Sequence, residues 1–322
     1  MQTWTCAQPG TFDLQETEIP NRPAGYSLLR VRAIGICGTD IHAFAGNQPF
    51  FQYPRILGHE LAAEVVESEQ FSSGELVTII PYFNCQTCSA CAQGKPNCCE
   101  HIQVFGVHAD GGMREYIAVE DRFILPGNGL SADELALVEP LSIAAHGLRR
   151  GNIQSGEKVL VMGAGPIGLF TILLAKIQGA QVEVAEPNAA RLAFCIEKLG
   201  VPAATQASYQ TVIDATGNRA AIESGFAKIA HGGQYILIGL QKEAISFIHP
   251  EFHKREATLM SSRNATLADF RYVMDLFRTG QIDAHDFISH HVEWSELGDI
   301  FPRIHLAEMG VIKAVIKLDA GR

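Results

Sequence analysis

The chain opens without a basic segment followed by an apolar stretch, since Met1 to Gly10 offers neither. Its longest apolar run, around Ile167 to Ala175, falls short of the roughly 20 residues a membrane helix needs. The expectation is a cytoplasmic protein with no membrane partner. Positive charge is scarce: 25 lysines and arginines against 35 aspartates and glutamates leave a formal net charge of -10. Such a surface repels phosphate backbones, so nucleic acid is excluded as an expected partner, and an anionic substrate requires a local cation. Internal repeats and low-complexity segments are missing too, which excludes a solenoid or propeller.

What the chain does have is 322 residues, 47% of them hydrophobic and 19% charged, enough to bury a large core in two domains. Five of its eight cysteines crowd into Cys85, Cys88, Cys91, Cys98 and Cys99. In a large chain with no leader this pattern fits metal better than disulfides. Cys6 and Cys195 stand apart and read as buried thiols.

The periodicity changes near Glu139. Before it lie short strands bounded by Gly, Pro, Asn or Ser, such as 27–34, 61–67, 76–81 and 116–119. After it strands and helices alternate: helix 141–150, strand 159–162, helix 166–178, strand 181–185, helix 189–199 closed by Gly200, strands 211–215 and 234–238, helix 267–278. That alternation predicts an α/β fold with a doubly wound parallel sheet. The alternating residues 310–317 read as a strand returning to the first domain.

Residues 159–168 form a strand followed by Gly163-x-Gly165-x-x-Gly168 and a helix that opens on Pro166 and Ile167. Gly163 permits the tight turn, Gly165 lets backbone approach a pyrophosphate, and Gly168 allows close helix-strand packing. Glu186 ends the next strand, eighteen residues past Gly168. A carboxylate there accepts from ribose hydroxyls and repels a 2′-phosphate, so NAD is expected over NADP. Arg191 could instead bend toward such a phosphate, or stand as a solvated helix charge. Thr216 and Gly239 complete the candidate cofactor contacts.

Cys85-x2-Cys88-x2-Cys91-x7-Cys99 places four thiolates in one loop, which suits a closed tetrahedral zinc. A second, dispersed set comprises Cys37, Thr39 and His42 in Gly35-Ile36-Cys37-Gly38-Thr39-Asp40-Ile41-His42, then His59 and Glu60, then Glu139. Together they offer sulfur, imidazole and carboxylate, the open pattern of a catalytic zinc.

In order and approximate spacing these elements resemble the zinc-containing medium-chain dehydrogenases/reductases, over nearly the whole chain. The resemblance implies a GroES-like β-rich catalytic domain (1–140 and 284–322, with a structural zinc lobe at 82–100) and a Rossmann NAD-binding domain (141–283). It implies one structural and one catalytic zinc, a small-molecule polyol or sugar-acid substrate, and a homodimer or homotetramer. Cys37 and His59 look like catalytic zinc ligands. Glu139, within Glu-Pro-Leu-Ser-Ile, resembles the sorbitol dehydrogenase branch, where this glutamate binds zinc directly or through water. Glu60 is the alternative carboxylate, which in relatives ligates zinc or sits just behind it. Thr39 and His42 look like the family's relay carrying a proton from the substrate hydroxyl to solvent.

A narrower resemblance is to bacterial hexonate 5-dehydrogenases acting on L-galactonate or L-gulonate. It rests on residues 44–51, on 106–112 with His108, and on 251–254 leading to Ser262-Arg263-Asn264-Ala265-Thr266. His108, Arg263 and Asn264 are the implied substrate contacts, with Arg263 suited to a bidentate pair with a carboxylate. Rival readings are a sorbitol, threonine or sugar-phosphate dehydrogenase of the same family, and a non-catalytic NAD-binding protein. One departure stands out: only residues 201–210 separate Gly200 from the next strand. That span has to cross about 14 Å of sheet, and a crossover normally takes about a dozen residues or more. The expected consequence is a truncated sheet edge without its usual helix.

Overall fold

The computed structural model describes residues 1–48, 51–306 and 309–318. Two compact units emerge: Met1–Glu139 with Phe270–Arg322, and Pro140–Asp269. Both divisions fall inside helices, Ala132–Gly151 and Leu267–Arg278.

The first unit is built on a seven-stranded sheet. Tyr26–Gly35 lies at its centre, flanked by Glu60–Glu67 and Lys313–Lys317, so the residues near 310–317 do return to this unit. Alternation makes Tyr26–Gly35 a strand: Leu29, Val31 and Ala33 are buried while the residues between them are half-buried. Its end pairs Gly35 with Glu60 on one side and Val315 on the other. Three strand ends therefore meet at one point.

The second unit carries a five-stranded parallel sheet in the order Gln181–Ala185, Lys158–Met162, Tyr209–Asp214, Ile229–Leu237, Thr258–Ser261. Strand direction of growth reverses between Lys158–Met162 and Tyr209–Asp214, which opens a crevice at their carboxyl ends. Leu160, Met162, Tyr209, Val212, Ile222, Phe226, Ile229 and Tyr235 form a core cluster beneath it. The expected helix at 141–150 proves to be the second half of Ala132–Gly151, with Pro140 inside it. No sequence expectation covered the edge strand Thr258–Ser261 or the helix Arg219–Gly225.

The sheet edge is truncated as the short segment requires. Residues 201–208 contribute one parallel bridge, Val184 to Ala203, before the chain enters Tyr209–Asp214. Glu183 takes over the work of the missing helix. Its carboxylate accepts from the Tyr209 hydroxyl (2.6 Å), the Thr205 amide (2.6 Å) and the Gln206 side chain (3.0 Å). Burial pushes its pKa up, but these donors outweigh it and hold the carboxyl at about 2.

A folded pKa below the ordinary value stabilises the protein above about pH 4.3, and that stability fades as pH falls toward the folded value. Solvent screens this largely open carboxylate, so Glu183→Gln should cost on the order of 1 kcal/mol near neutral pH. In calorimetric scans the gap to the parent protein should narrow steadily below pH 4. A gap independent of pH would contradict this account.

Candidate active site

Strand Tyr26–Gly35 runs into Cys37, the N-cap of the helix Gly38–Phe44. The Cys37 sulfur accepts from the Thr39 amide at 3.4 Å, and the Asp40 carboxylate accepts from the Cys37 amide at 3.0 Å. Asp40 is fully buried, and its other oxygen accepts from the Gly58 amide at 3.1 Å while lying 3.6 Å from His59 Nδ1. One carboxylate thus ties the Cys37 turn to the His59 turn and faces the imidazole.

Glu60 follows directly, opposite Gly35. A β-carbon at residue 35 would stand 2.1 Å from Glu60 Oε2, so only glycine leaves the carboxylate room. From the third strand the Lys313 ammonium, with its side chain 1% exposed, donates to the Ile36 carbonyl (3.0 Å) and to the Glu60 carboxylate. Ligand atoms of Cys37, His59 and Glu60 lie within 4.8 Å of one another. Glu139, also buried, accepts from the hydroxyl of buried Tyr82. Thr39 is half-buried, and His42, one turn further on, is exposed.

Burial disfavours charge, yet every resolved shift in this pocket favours holding a proton. For His59 burial opposes the cation, but Asp40 and Cys37 outweigh it and raise the pKa well above the usual imidazole value. Burial likewise opposes the Lys313 cation, which Glu60 and Cys37 nevertheless raise. Burial lifts Asp40, lifts Glu139 to about 7, and together with Glu139 lifts Tyr82. The acids rise because burial disfavours their anions, while His59 and Lys313 rise because acidic groups face them, and those same groups are suited to hold a divalent cation. Sulfur, imidazole and carboxylate are also the donor types zinc takes. The buried His59 Nδ1 has no hydrogen-bond partner and is turned to Asp40, so Nε2 is the nitrogen left to a metal.

The second cluster gathers the sulfurs of Cys85, Cys88, Cys91 and Cys99 within 4.8 Å. The Cys88–Cys99 and Cys85–Cys99 sulfur separations of 3.9 and 3.5 Å bracket the tetrahedral edge of about 3.8 Å that follows from zinc–sulfur bonds of about 2.3 Å. Amides of Cys88, Cys85 and His101 donate to these sulfurs at 3.3 Å. Hydrogen bonds from Thr87 and Cys88 pull the Cys85 thiol down to about 5, whereas burial and Cys88 push Cys91 up to about 12. Cys98 is exposed and outside the cluster.

In the second unit Gly163, at φ 92°, comes so close to Thr216 that a β-carbon would stand 2.8 Å from its methyl group. Gly168 has equally little room, with the Gly163 carbonyl oxygen 2.0 Å from where its β-carbon would be. Gly239 abuts Gly217 in the same way. Pro166 begins the helix Pro166–Ile177, with Ile167 next and Gly165 as N-cap. Glu186 accepts from the amides of Ala164 (2.6 Å) and Asn188 (2.8 Å), while Arg191 is exposed. The glycine loop, the Glu186 carboxylate and the Thr216 and Gly239 turns therefore share the carboxyl edge of this sheet.

Of the substrate candidates, His108 belongs to the first unit, where its Nδ1 accepts from the Val104 amide at 3.0 Å. Arg263 and Asn264 belong to the second, Arg263 exposed and Asn264 at φ 54°. Within the suggestive segment 44–51, Pro49 and Phe50 lie outside the described residues.

Residues 23–129 match the alcohol dehydrogenase GroES-like domain, and residues 166–279 match the zinc-binding dehydrogenase domain. The chain is 42% identical to L-galactonate-5-dehydrogenase of Escherichia coli K12, over 98% of each chain. It belongs to the zinc-binding dehydrogenases. Two solved structures agree with this dehydrogenase along its length. A zinc-binding dehydrogenase from Sinorhizobium meliloti bound to NADP gives a TM-score of 0.91 at 25% identity, covering 98% of this chain and 99% of that one. An alcohol dehydrogenase from Escherichia coli CFT073 complexed with NADH gives 0.89 at 27%, covering 99% of both.

Three residues of the dehydrogenase site escaped the sequence reading: Asp40, Tyr82 and Lys313. Asp40 stood inside the recognised motif, and its place three residues after Cys37 was the available signal for a cap that closes back on the ligand turn. Lys313 had a fainter one, as a lysine opening the short apolar run Ala314-Val315-Ile316. Tyr82 had none.

Removing one partner of a buried ion pair leaves the other charge uncompensated. Lys313→Met should therefore lower the unfolding free energy by about 3–5 kcal/mol, and adding Glu60→Gln should recover part of the loss. Strictly additive losses in denaturant titrations would show the two groups to be uncoupled.

Proposed function

We propose that this dehydrogenase oxidises a secondary alcohol of a six-carbon sugar acid, of the L-galactonate or L-gulonate type, at C5, with NAD as acceptor. The observation that carries the reading is the 42% identity to an L-galactonate-5-dehydrogenase over 98% of the chain. The exposed Arg263, a cation on a turn of an acidic protein, supports it.

Cys37 and His59 would hold the catalytic zinc, with Glu60 or Glu139 as the carboxylate, and Cys85, Cys88, Cys91 and Cys99 would hold the structural one. When bound, zinc supplies Lewis acidity to the substrate hydroxyl, and the oxidised nicotinamide supplies the hydride acceptor. The chain's own residues do the rest. Asp40 orients the His59 ring and favours its ligating tautomer. Thr39 accepts the hydroxyl proton and His42, exposed one turn away, passes it to water. Arg263, with Asn264 and His108, takes the far end of the substrate. A charge-assisted pair there selects which hydroxyl is presented for reaction. At the cofactor, the N-terminus of Pro166–Ile177 faces the pyrophosphate and Glu186 accepts from the ribose hydroxyls.

Relatives have been seen with NADP and with NADH, so the choice rests on the chain's own residues. Glu186 and the exposed position of Arg191 favour NAD. We read the protein as cytoplasmic, in keeping with the absence, among the described residues, of a helix long and apolar enough to cross a membrane. The dimer or tetramer implied by the family resemblance remains our expectation for its assembly.

Loss of the ribose contact should show as Glu186→Ala lowering kcat/KM for NAD by about 10- to 100-fold. NADP should suffer far less, and equal turnover of both cofactors by the parent enzyme would defeat the NAD reading. For the substrate, Arg263→Ala should lower kcat/KM on L-galactonate by about 100-fold and on neutral sorbitol by less than about fivefold. An enzyme that prefers sorbitol to every hexonate would overturn the assignment.

A further inference from the structure

A second cluster of buried ionisable groups lies in the second unit, formed by none of the proposed metal ligands. Four donors converge on a single oxygen, Asp269 Oδ2: His146 Nδ1 (2.9 Å), Arg149 Nη2 (2.9 Å), the Thr266 amide (2.8 Å) and the Thr266 hydroxyl (2.8 Å). Arg149 Nη2 also donates to the Thr266 hydroxyl at 2.7 Å. Asp269 is 2% exposed and His146 6%. Thr266 and Asp269 alone would make an ordinary helix cap at the start of Leu267–Arg278, and a cap needs neither burial nor a histidine and an arginine from a helix more than a hundred residues away.

The extra ties make sense from what lies just before the cap. The turn Ser262–Thr266 carries Arg263 and Asn264, and Asn264 sits in the left-handed region at φ 54°, a turn conformation that asparagine adopts more readily than other side chains. Both ends of the turn are pinned. The Ser262 amide donates to the Leu237 carbonyl at 2.8 Å, Ala265 is buried, and Thr266 is gripped by Asp269. The helix Ala132–Gly151 packs flush beside it: a β-carbon on Gly147, between His146 and Arg149, would stand 2.5 Å from Ile238 and 3.7 Å from the Ser262 hydroxyl.

We propose that Asp269, with His146 and Arg149, is a positioning residue for substrate choice: it locks the turn Ser262–Thr266 to the helix Ala132–Gly151 and so fixes the presentation of Arg263 and Asn264. The assignment rests on the reading of Arg263 as the group that receives a carboxylate.

The test uses the zinc-loaded full-length enzyme as Asp269→Asn and, should that variant fold poorly, as Arg149→Met, which removes one tie at a half-exposed side chain. Hydrogen exchange should quicken by about tenfold or more at residues 262–266 and stay unchanged elsewhere. The KM for L-galactonate should rise about tenfold with kcat altered less than about threefold, the preference over sorbitol should shrink, and combination with Arg263→Ala should add little. Exchange unchanged at the turn, or raised uniformly with a lower Tm and an unaltered substrate preference, would reduce Asp269 to a helix cap and overturn the proposal. Should Arg263→Ala weaken hexonate and sorbitol alike, the hexonate reading fails instead. Localised exchange would then still uphold the lock, and its absence would remove that too.

Discussion

A concentration of buried acidic groups governs the first unit. Cys37, Asp40, Glu60 and Glu139 gather where Asp40, Glu60 and Glu139 are each less than 5% exposed, and among the described residues Lys313 and His59 stand against them. Each neighbouring feature answers that imbalance. Gly35 makes room for a carboxylate, Asp40 spends its oxygens on two amides, Tyr82 donates to Glu139, and Lys313 is drawn out of water to reach Glu60. Hydrophobic packing would favour none of these choices. They compensate the buried acids directly, and the donor types gathered there are ones a cation such as zinc takes.

The second unit solves a different problem, that of bringing backbone close to a large anion. Its glycines stand where β-carbons would collide with neighbouring turns, and the crevice lies where the strand order reverses. The short segment leaves this machinery intact because it lies at the edge strand Gln181–Ala185, where Glu183 anchors the chain with hydrogen bonds. An economy of residues in the crossover has been met by one well-satisfied carboxylate.

Local patterns were legible where a whole function fits in a few residues. The periodicity gave most of the parallel strands and the helix 267–278 to the residue. The beginning of Ala132–Gly151 was missed although Ser131 and Glu134 form a capping box, since the Ser131 hydroxyl accepts from the Glu134 amide at 3.3 Å and the Glu134 carboxylate accepts from the Ser131 amide at 2.7 Å. Pro140 lies inside this helix, where a proline ordinarily breaks the pattern, and the expected helix began just after it.

By itself the sequence determined the four-cysteine lobe, the glycine turn and the Cys37 to His42 segment, since their groups are neighbours along the chain and bond geometry brings them together in any compact fold. Only the tertiary structure decided which carboxylates are compensated and by what. Lys313 meets Glu60 across 253 residues, Tyr82 meets Glu139 across 57, and His146 meets Asp269 across 123. The cost of burying a charge depends on what stands within a few ångströms of it, and that is fixed by which strands and helices lie side by side.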